Sequence, residues 1–277
     1  MKYRILSLFI FLQFACIAPF LFGQKVLDRI IKSGELRVGM TLSQPPFSMK
    51  SKAGEAIGMD VEIAELLAQS LELKLNIVEM PFHELLPSLE SGKIDLVISG
   101  MAITAERNLK FSFVGPYMIS GKGIITKSAI LAKAGGSEDI DKEDLRVAAM
   151  KGTTSEKFTK SLLSHCKLVS VENYEEGIAI LMDNKADLMI ADYPICILAQ
   201  IRYPNAGFVT TEEPLTIEPI GIALPANAPQ LTNLIDNYLK SLALTGILDE
   251  LEDFWFTNPK WVSDMGGIQF RLGMPNY

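Results

Sequence analysis

One stretch of the sequence joins an apolar run to an arginine that could bind an anion. Residues 92–107 read G-K-I-D-L-V-I-S-G-M-A-I-T-A-E-R, so the apolar run ends in small residues such as Gly100 and Ala102. The run is typical of a strand buried in a parallel sheet. Thr104 then predicts a short helix that carries Arg107. Because ligands of open α/β sheets lie beyond the carboxyl ends of strands, Arg107 is a candidate carboxylate receptor, with a surface arginine as the alternative.

A second copy of this pattern occurs further along the chain. Residues 184–192, N-K-A-D-L-M-I-A-D, repeat residues 92–100, G-K-I-D-L-V-I-S-G, with Lys, Asp and Leu in register. The chain is therefore predicted to contain two similar α/β halves. The second copy ends in Asp192, so a carboxylate at one strand end would face the cation of the other half across a cleft. Such a pair of charges suits a zwitterion.

A glycine followed by three hydroxyl residues marks the start of a helix in the second half. The sequence there is Gly152-Thr153-Thr154-Ser155. Free backbone N–H groups and the helix dipole favour an anion at such a start. The alternative is an ordinary N-cap, since serine and threonine cap many helices.

The first 23 residues are predicted to be a signal peptide. Lys2 and Arg4 precede an apolar run over residues 5–22, which is the pattern of a secretory signal cleaved near Gly23. A membrane anchor is the alternative, because the run is about long enough to span a bilayer. Lipid attachment at Cys16 is a weaker alternative. We expect export to the periplasm.

Composition and isolated residues exclude several classes of function. The net charge is -7 and there is no basic run, which argues against nucleic-acid binding. Cys166 and Cys196 could pair after export, but we favour buried unpaired thiols. His83 and His165 have no neighbouring ligands at metal-binding spacing, so we expect neither a metal nor a cofactor.

The remaining chain alternates strand patterns with helix patterns, which predicts an α/β fold with parallel sheets covered by helices. Two local expectations follow from composition. The segment 41–47, T-L-S-Q-P-P-F, is expected to be a proline-rich loop without regular structure. Lys122, in the sequence S-G-K-G, is expected to be an exposed lysine in a turn.

A series of short motifs in order resembles a known family. They are R-V-G-M at Arg37, P-F at Pro46, G-M-D-V at Gly58, D-L-V-I-S-G-M-A-I-T-A-E-R at Asp95, F-S-F-V-G-P-Y at Phe111, K-G-T-T at Lys151 and A-D-L-M-I-A-D at Ala186. Together they resemble the periplasmic amino-acid-binding proteins of ABC importers, the family 3 extracellular solute-binding proteins.

This resemblance implies a two-lobe periplasmic-binding-protein fold of type II. Each lobe would be a mostly parallel sheet flanked by helices, and two crossing segments would form a hinge. The crossings are expected near Pro116-Tyr117 and Glu213-Pro214. Lobe 1 would then comprise residues 24–116 and 214–277, and lobe 2 residues 117–213.

The resemblance also assigns roles to individual residues. Arg107 matches the arginine that binds the ligand α-carboxylate, and Asp192 the carboxylate that receives the α-ammonium. Thr154 matches a hydroxyl that assists from the second lobe. Gly100 and Ala102 match positions that bind through the backbone, although Ala102 lacks the usual hydroxyl.

Three further residues fall where the family lines the side-chain pocket: Gln44, Phe47 and Phe82. A core role for Phe47 is an equal alternative. Thr41 occupies the position where binders of basic amino acids tend to carry an acidic residue. This substitution argues against lysine, arginine and histidine as ligands.

The resemblance favours a transport protein without catalytic residues. It would be a monomer that binds a small polar L-amino acid and delivers it to ABC permease subunits in the inner membrane. The alternative is a cyclohexadienyl dehydratase, an exported enzyme that shares the scaffold. That subfamily places a glutamate as general acid three residues after the position of Asp192. Ile195 stands there, so we expect no enzyme activity.

Overall fold

The computed structural model describes residues 20–265. The predicted signal peptide lies outside the described residues as far as residue 19, and so does Cys16. Over the described span, no helix combines the length and the apolar character needed to cross a bilayer.

Helices and strands alternate along most of the described chain. The helices are α1 (Phe20–Ser33), α2 (Met59–Ser70), α3 (Phe82–Glu90), α4 (Ala105–Asn108), α5 (Thr154–Leu162), α6 (Tyr174–Met182), α7 (Tyr193–Arg202), α8 (Pro229–Leu244) and α9 (Ile247–Glu252). The strands are β1 (Glu35–Met40), β2 (Ser43–Gln44), β3 (Ser48–Lys50), β4 (Ala56–Ile57), β5 (Lys74–Glu79), β6 (Leu96–Val97), β7 (Phe111–Ser120), β8 (Lys122–Thr126), β9 (Arg146–Met150), β10 (Lys167–Val171), β11 (Leu188–Asp192), β12 (Val209–Thr210) and β13 (Glu218–Pro225).

Two five-stranded sheets share one plan. The first has the order β5-β1-β6-β13-β7 and the second the order β10-β9-β11-β8-β12. In each sheet the first three strands are parallel and the last two run antiparallel to their neighbours. Each sheet forms one lobe, so the α/β class and the two similar halves predicted from the repeat are both present.

The repeated aspartate has the same role in both lobes. Asp95 accepts hydrogen bonds from the backbone N–H of Arg37, at 2.8 Å, and from its guanidinium group. Asp187 accepts the equivalent bonds from Arg146, again at 2.8 Å from the backbone nitrogen. A buried backbone N–H needs a partner, and here the aspartate at the start of one strand supplies it to the neighbouring strand. The two lobes are therefore built alike down to these bonds.

The chain changes sheets at two neighbouring segments. Strand β7 belongs to the first sheet as far as Ser120, and β8 enters the second sheet at Lys122, so the first crossing falls at Gly121 and not at residues 116–117. The return lies between Thr210 and Glu218. A Cβ built on Gly121 would lie only 2.0 Å from the carbonyl oxygen of Thr216. The two crossing segments thus pack directly on each other because residue 121 has no side chain.

The proline-rich segment contains more regular structure than its composition predicts. Ser43 and Gln44 form strand β2, which pairs with β3, and β3 pairs with β4 in a small antiparallel sheet. The expectation of a loop was wrong for these two residues. Pro45 and Pro46 lie between β2 and β3, where the missing proline N–H removes no ladder bond.

The end of the described chain returns to the first lobe. Trp255 is buried and its Nε1 donates to a carboxylate oxygen of Glu62 at 2.8 Å. Phe256 packs edge-on against Phe47 with ring centroids 5.2 Å apart. Both aromatic residues therefore close the core of the first lobe.

Candidate functional site

A hydrogen bond of its backbone N–H fixes Arg107 in the short helix α4. Thr104 caps α4, and its Oγ1 accepts from the backbone N–H of Arg107 at 3.2 Å. The guanidinium group lies 5.6 Å above the ring of Phe82 and donates to the carbonyl oxygens of Ala102, at 2.7 Å, and Gly152, at 3.2 Å. Burial lowers the pKa of Arg107 to about 10, so the group stays charged at neutral pH.

Asp192 lies at the junction of β11 and α7, with its side chain turned away from the helix. Its carboxylate makes no capping bond to α7. Instead Oδ2 accepts from Gln44 Nε2 and from the hydroxyl of Tyr174, both at 3.1 Å. Burial raises the pKa of Asp192, against the opposing charges of Lys122 and Arg107. Both hydrogen bonds use Oδ2, which leaves Oδ1 as the acceptor for a ligand cation.

Gln44 adds a second acceptor beside this carboxylate. Its amide nitrogen faces Asp192, since a carboxylate oxygen can only accept, and its Oε1 is therefore fixed on the other side. That oxygen is buried and has no hydrogen-bond partner within residues 20–265. A buried acceptor without a donor is costly in a folded protein, so this oxygen marks a place for a ligand N–H group.

The two lobes touch each other around these residues. Polar contacts that cross between them include Gln44 with Asp192, Arg107 with the carbonyl of Gly152, Glu106 with Lys157, and His83 with Glu172 at 3.5 Å. Glu218 of the first sheet also contacts Lys122 and Thr154 of the second lobe. Gly152 has a positive φ of 78°, and a Cβ there would lie 2.8 Å from the Cβ of His83. The lobes are closed on each other, and glycine at position 152 permits that approach.

Gly100 is fixed by a buried carboxylate behind the cleft. Its backbone N–H donates to Oδ2 of Asp60 at 2.6 Å, and the hydroxyl of Tyr117 donates to Oδ1 at 2.7 Å. The φ of Gly100 is 54°, and a Cβ there would lie 2.6 Å from Gln44 Nε2. Because the N–H of Gly100 is already used, only its carbonyl oxygen is left for a ligand.

Asp60 is expected to make stability depend on pH. Burial raises its pKa to about 6, so between pH 4 and pH 6 the folded state binds more protons at this group than the unfolded state does. The contribution of Asp60 to the free energy of unfolding should therefore fall as pH rises through this window. We expect Asp60→Asn to lose stability at low pH relative to wild type and to close that gap towards pH 7. Urea unfolding at four pH values, with the exposed Asp236→Asn as control, checks this; parallel pH profiles for wild type and Asp60→Asn would contradict it.

Lys122 is buried, and the expectation of an exposed turn residue was wrong. It begins strand β8 opposite Asp192 of β11, and its side chain is 2% exposed. Its ammonium group forms an ion pair with Glu218, whose other oxygen accepts from Thr154 Oγ1 at 2.9 Å. Burial lowers the pKa of Lys122 to about 8. The sequence signal that could have revealed it is the unbroken apolar run that follows the lysine.

The two threonine hydroxyl groups at the start of α5, in the second lobe, have different partners. Thr153 is the N-cap of α5, because its Oγ1 accepts from the backbone N–H of Glu156 at 3.2 Å. Thr154 instead donates to Glu218 and so belongs to the chain of polar groups that leads through Lys122 towards Asp192. Glu218, Lys122 and Tyr174 were not among the site residues predicted from the sequence.

The predicted pocket aromatics occupy different environments. Phe47 is fully buried in the core of the first lobe, against Phe256, so the alternative of a core role describes it. Phe82 lies under the guanidinium group of Arg107. Ala102 serves Arg107 through its carbonyl oxygen and forms a backbone bridge to Ile220.

The described residues contain no cluster of three or more His, Cys, Asp and Glu side chains placed to hold a metal ion. Cys166 and Cys196 are unpaired, the former half-buried and the latter buried. His165 pairs with Asp141 at 2.7 Å from Nδ1.

Two lobes closed around a half-buried arginine and a buried aspartate define a protein that binds a small ligand at a hinge. The chain belongs to the bacterial extracellular solute-binding proteins, family 3, whose sequence pattern it matches over residues 36–258. The fold is the type II periplasmic-binding-protein fold, as the resemblance implied.

Relatives of known activity include both an enzyme and transport proteins. The chain is 29% identical to cyclohexadienyl dehydratase of Pseudomonas aeruginosa, covering 83% of this chain and 85% of that protein. It is 26% identical to the ABC transporter arginine-binding protein 1 of Escherichia coli, covering 87% and 96%. Among solved structures, the ancestral amino acid-binding protein AncCDT-1, a precursor of cyclohexadienyl dehydratase, is 37% identical, with a TM-score of 0.76 and coverage of 83% and 99%.

Proposed function

We propose that this protein is the substrate-binding component of an ABC importer and holds a small polar L-amino acid between its lobes. The observation that carries the proposal is the pair of opposite charges of half-buried Arg107 and buried Asp192, presented by two lobes that close on each other. In this proposal residues 1–23 direct export to the periplasm, where the monomeric protein delivers its ligand to permease subunits in the inner membrane.

The two ends of an amino acid match the two ends of the cleft. The α-carboxylate would bind the planar guanidinium group of Arg107, which suits a bidentate contact. The α-ammonium would donate to Oδ1 of Asp192 and to the unpartnered Oε1 of Gln44. The carbonyl of Gly100 and the hydroxyl of Thr154 are the remaining polar groups that we assign to the site.

The charge balance of the cleft supports an uncharged ligand side chain. Arg107 and Lys122 supply two positive charges, and Asp192 and Glu218 supply two negative charges. A zwitterion with a neutral side chain leaves this balance unchanged, whereas a cationic side chain would need a further buried anion. Thr41 does not supply one, because its hydroxyl carries no charge; it accepts from Ser99 Oγ at 3.4 Å.

A thermal-shift screen of the signal-free protein tests the proposal. Binding only to the folded state adds about 2.7 kcal/mol at a ligand concentration one hundred times the dissociation constant, which raises Tm by about 5–10 °C in a chain of this size. We expect one or a few of the twenty L-amino acids to produce such a shift and their D-enantiomers to produce much less. The absence of any shift in folded protein freed of ligand would overturn the proposal.

The dehydratase function is the second candidate, because one relative named above has that activity. Such an enzyme must protonate a leaving hydroxyl group with an acid within hydrogen-bond reach. Ile195, which occupies the position of the subfamily's general acid, is buried among apolar residues and cannot donate a proton. The apolar residue at this position supports our proposal of a binding protein without enzyme activity.

We expect no turnover of prephenate or arogenate above the uncatalysed rate, and no change in that result for Lys122→Ala. An absorbance assay for phenylpyruvate measures this directly. Product formation proportional to protein concentration would contradict the transport proposal. Glu218 and Asp192, the acids of the cleft, would then be the proton donors to test by Glu218→Gln and Asp192→Asn.

A further inference from the structure

The buried ammonium group of Lys122 has more donors than partners. A lysine ammonium carries three N–H groups, and within residues 20–265 this one has a single hydrogen-bond acceptor, a carboxylate oxygen of Glu218. The side chain is almost completely shielded from solvent. A charged donor that is buried without an acceptor costs more free energy than a neutral one. The spare N–H groups of Lys122 therefore mark a place for an acceptor that the described residues do not supply.

The pairing of two strands directs Lys122 towards the cleft. Lys122 of β8 lies opposite Asp192 of β11 in an antiparallel ladder. Residues directly opposite each other in such a ladder point to the same face of the sheet, with Cβ atoms about 5 Å apart. The side chain of Asp192 reaches Gln44 of the first lobe, so this face is turned to the other lobe. Lys122 therefore lies on the face that carries the proposed ammonium site.

The charges around Lys122 connect it to both ends of the proposed ligand site. Burial lowers the pKa of Lys122 to about 8, the negative charge of Asp192 opposes this shift, and the positive charge of Arg107 adds to it. Arg107 belongs to the first lobe and Asp192 to the second. A ligand held between these two residues would thus lie beside the ammonium group of Lys122.

The charge balance indicates that the missing acceptor is neutral. In the proposed complex the ligand carboxylate pairs with Arg107, the ligand ammonium with Asp192, and Lys122 with Glu218. Each buried charge then has one opposite partner. A carboxylate in the ligand side chain would add a negative charge without a counterpart, and a cationic side chain would repel Lys122. A hydroxyl or carboxamide oxygen accepts a hydrogen bond and leaves the balance unchanged.

We propose that Lys122 is a ligand-binding residue that selects amino acids with an uncharged oxygen in the side chain, in a hydroxyl or a carboxamide group. Lys122 then narrows the substrate class of the proposed function, on which this assignment rests. One N–H group stays with Glu218, and a second donates to the ligand oxygen. Serine, threonine, asparagine and glutamine are small members of this class. An aliphatic amino acid of equal size would leave the donor buried and unpaired.

Ligand pairs that differ in this oxygen test the assignment on the wild-type protein. Threonine and valine are close in shape, as are asparagine and leucine, and glutamine and homoleucine. We expect the oxygen-bearing member of at least one pair to bind about 10- to 150-fold more tightly, the contribution of one hydrogen bond to a charged donor. Calorimetric titration of the ligand-free, signal-free protein measures each affinity. A difference below about threefold in every pair, or tighter binding of the aliphatic members, would overturn the proposal.

A double variant tests the lysine itself. Lys122→Met with Glu218→Gln removes both charges of the buried pair and keeps an acceptor for Thr154. In this variant we expect the preference for the oxygen-bearing ligand to fall to within about threefold, chiefly through loss of affinity for that ligand. Lys127→Met is the matched control, because Lys127 directly follows the same strand but is exposed and donates to the carbonyl oxygen of Met182. Its replacement should leave the preference unchanged.

The two members of a ligand pair separate recognition of the oxygen from a role in lobe packing. Equal loss of affinity for both members in the double variant would assign Lys122 to packing and overturn the proposal. Urea unfolding shows whether each variant is folded, and if the double variant is not, the wild-type comparison still decides. Absence of binding by every L-amino acid is a different result, because it removes the proposed function and this assignment with it.

Discussion

Replacement of Arg107 by Met is expected to weaken amino-acid binding about 30- to 4,000-fold, which corresponds to about 2–5 kcal/mol. The ligand carboxylate would enter a closed cleft and lose water without regaining a charge partner. Folding should change little, because methionine preserves the apolar contact with the ring of Phe82 and removes a cation that burial already disfavours. Isothermal titration calorimetry gives the affinity, and urea unfolding gives the stability of each variant.

Arg107→Lys is the matched control for loss of the guanidinium group. Lysine keeps the positive charge but loses the planar fork of donors that now reaches the carbonyls of Ala102 and Gly152. Its affinity should therefore fall between those of the wild type and Arg107→Met. Wild-type affinity in Arg107→Met would remove this residue from the site.

Asp192→Asn is expected to cause a loss of affinity of similar size at the ammonium end. Asparagine is isosteric and can still accept from Gln44 and Tyr174, so the fold keeps its local bonds while the negative charge disappears. The ammonium group of the ligand would then be buried without a counter-charge. Calorimetry on this variant should find no stoichiometric binding at concentrations that saturate the wild type.

Asp187→Asn is the control for this second prediction. Asp187 lies directly before the same strand, but its carboxylate binds Arg146 and not the cleft. Its replacement should lower the free energy of unfolding and leave ligand affinity close to wild type. If both aspartate variants lost affinity equally, the effect would be structural and Asp192 would have no special role in binding.

The repeat could be predicted from the sequence because both copies use the same local physics. Each copy begins at a residue with positive φ, Gly92 at 73° and Asn184 at 54°, two residue types that tolerate this conformation. Each then places an aspartate before a buried strand, where it bonds the next strand of its sheet. Asp192 is the last residue of the second strand, and Arg107 lies in the helix after the first strand. The repeated pattern therefore also indicated where these two charged residues lie.

The ion pair of Lys122 and Glu218 could not be predicted in the same way. The two residues are far apart in the sequence and meet because β8 and β13 begin at the two crossing segments. The register of antiparallel strands from different parts of the chain is not encoded in either local pattern. A lysine between two glycines is typical of a turn. Only the pairing of β8 with β11 shows that Lys122 lies opposite Asp192.

The burial of Asp60 could not be predicted from the sequence for a different reason. In the sequence it lies at the start of an amphipathic helix, where an acidic residue favours the helix dipole and is ordinarily exposed. In the fold it is buried and bonds Gly100 and Tyr117 from other elements. Its role depends on tertiary contacts, which the helical pattern of α2 does not contain.

Binding of a zwitterion between Arg107 and Asp192 is tested by calorimetric titration of the ligand-free, signal-free protein with both enantiomers of the amino acid that gives the largest thermal shift. We expect one site per chain for the L-enantiomer and at least a hundredfold weaker binding of the D-enantiomer, because Arg107 and Asp192 fix the carboxylate and the ammonium together. We also expect that the corresponding amine without the carboxylate does not bind measurably. Equal affinity for the two enantiomers, or for the amine, would contradict a cleft built to hold a zwitterion between these two residues.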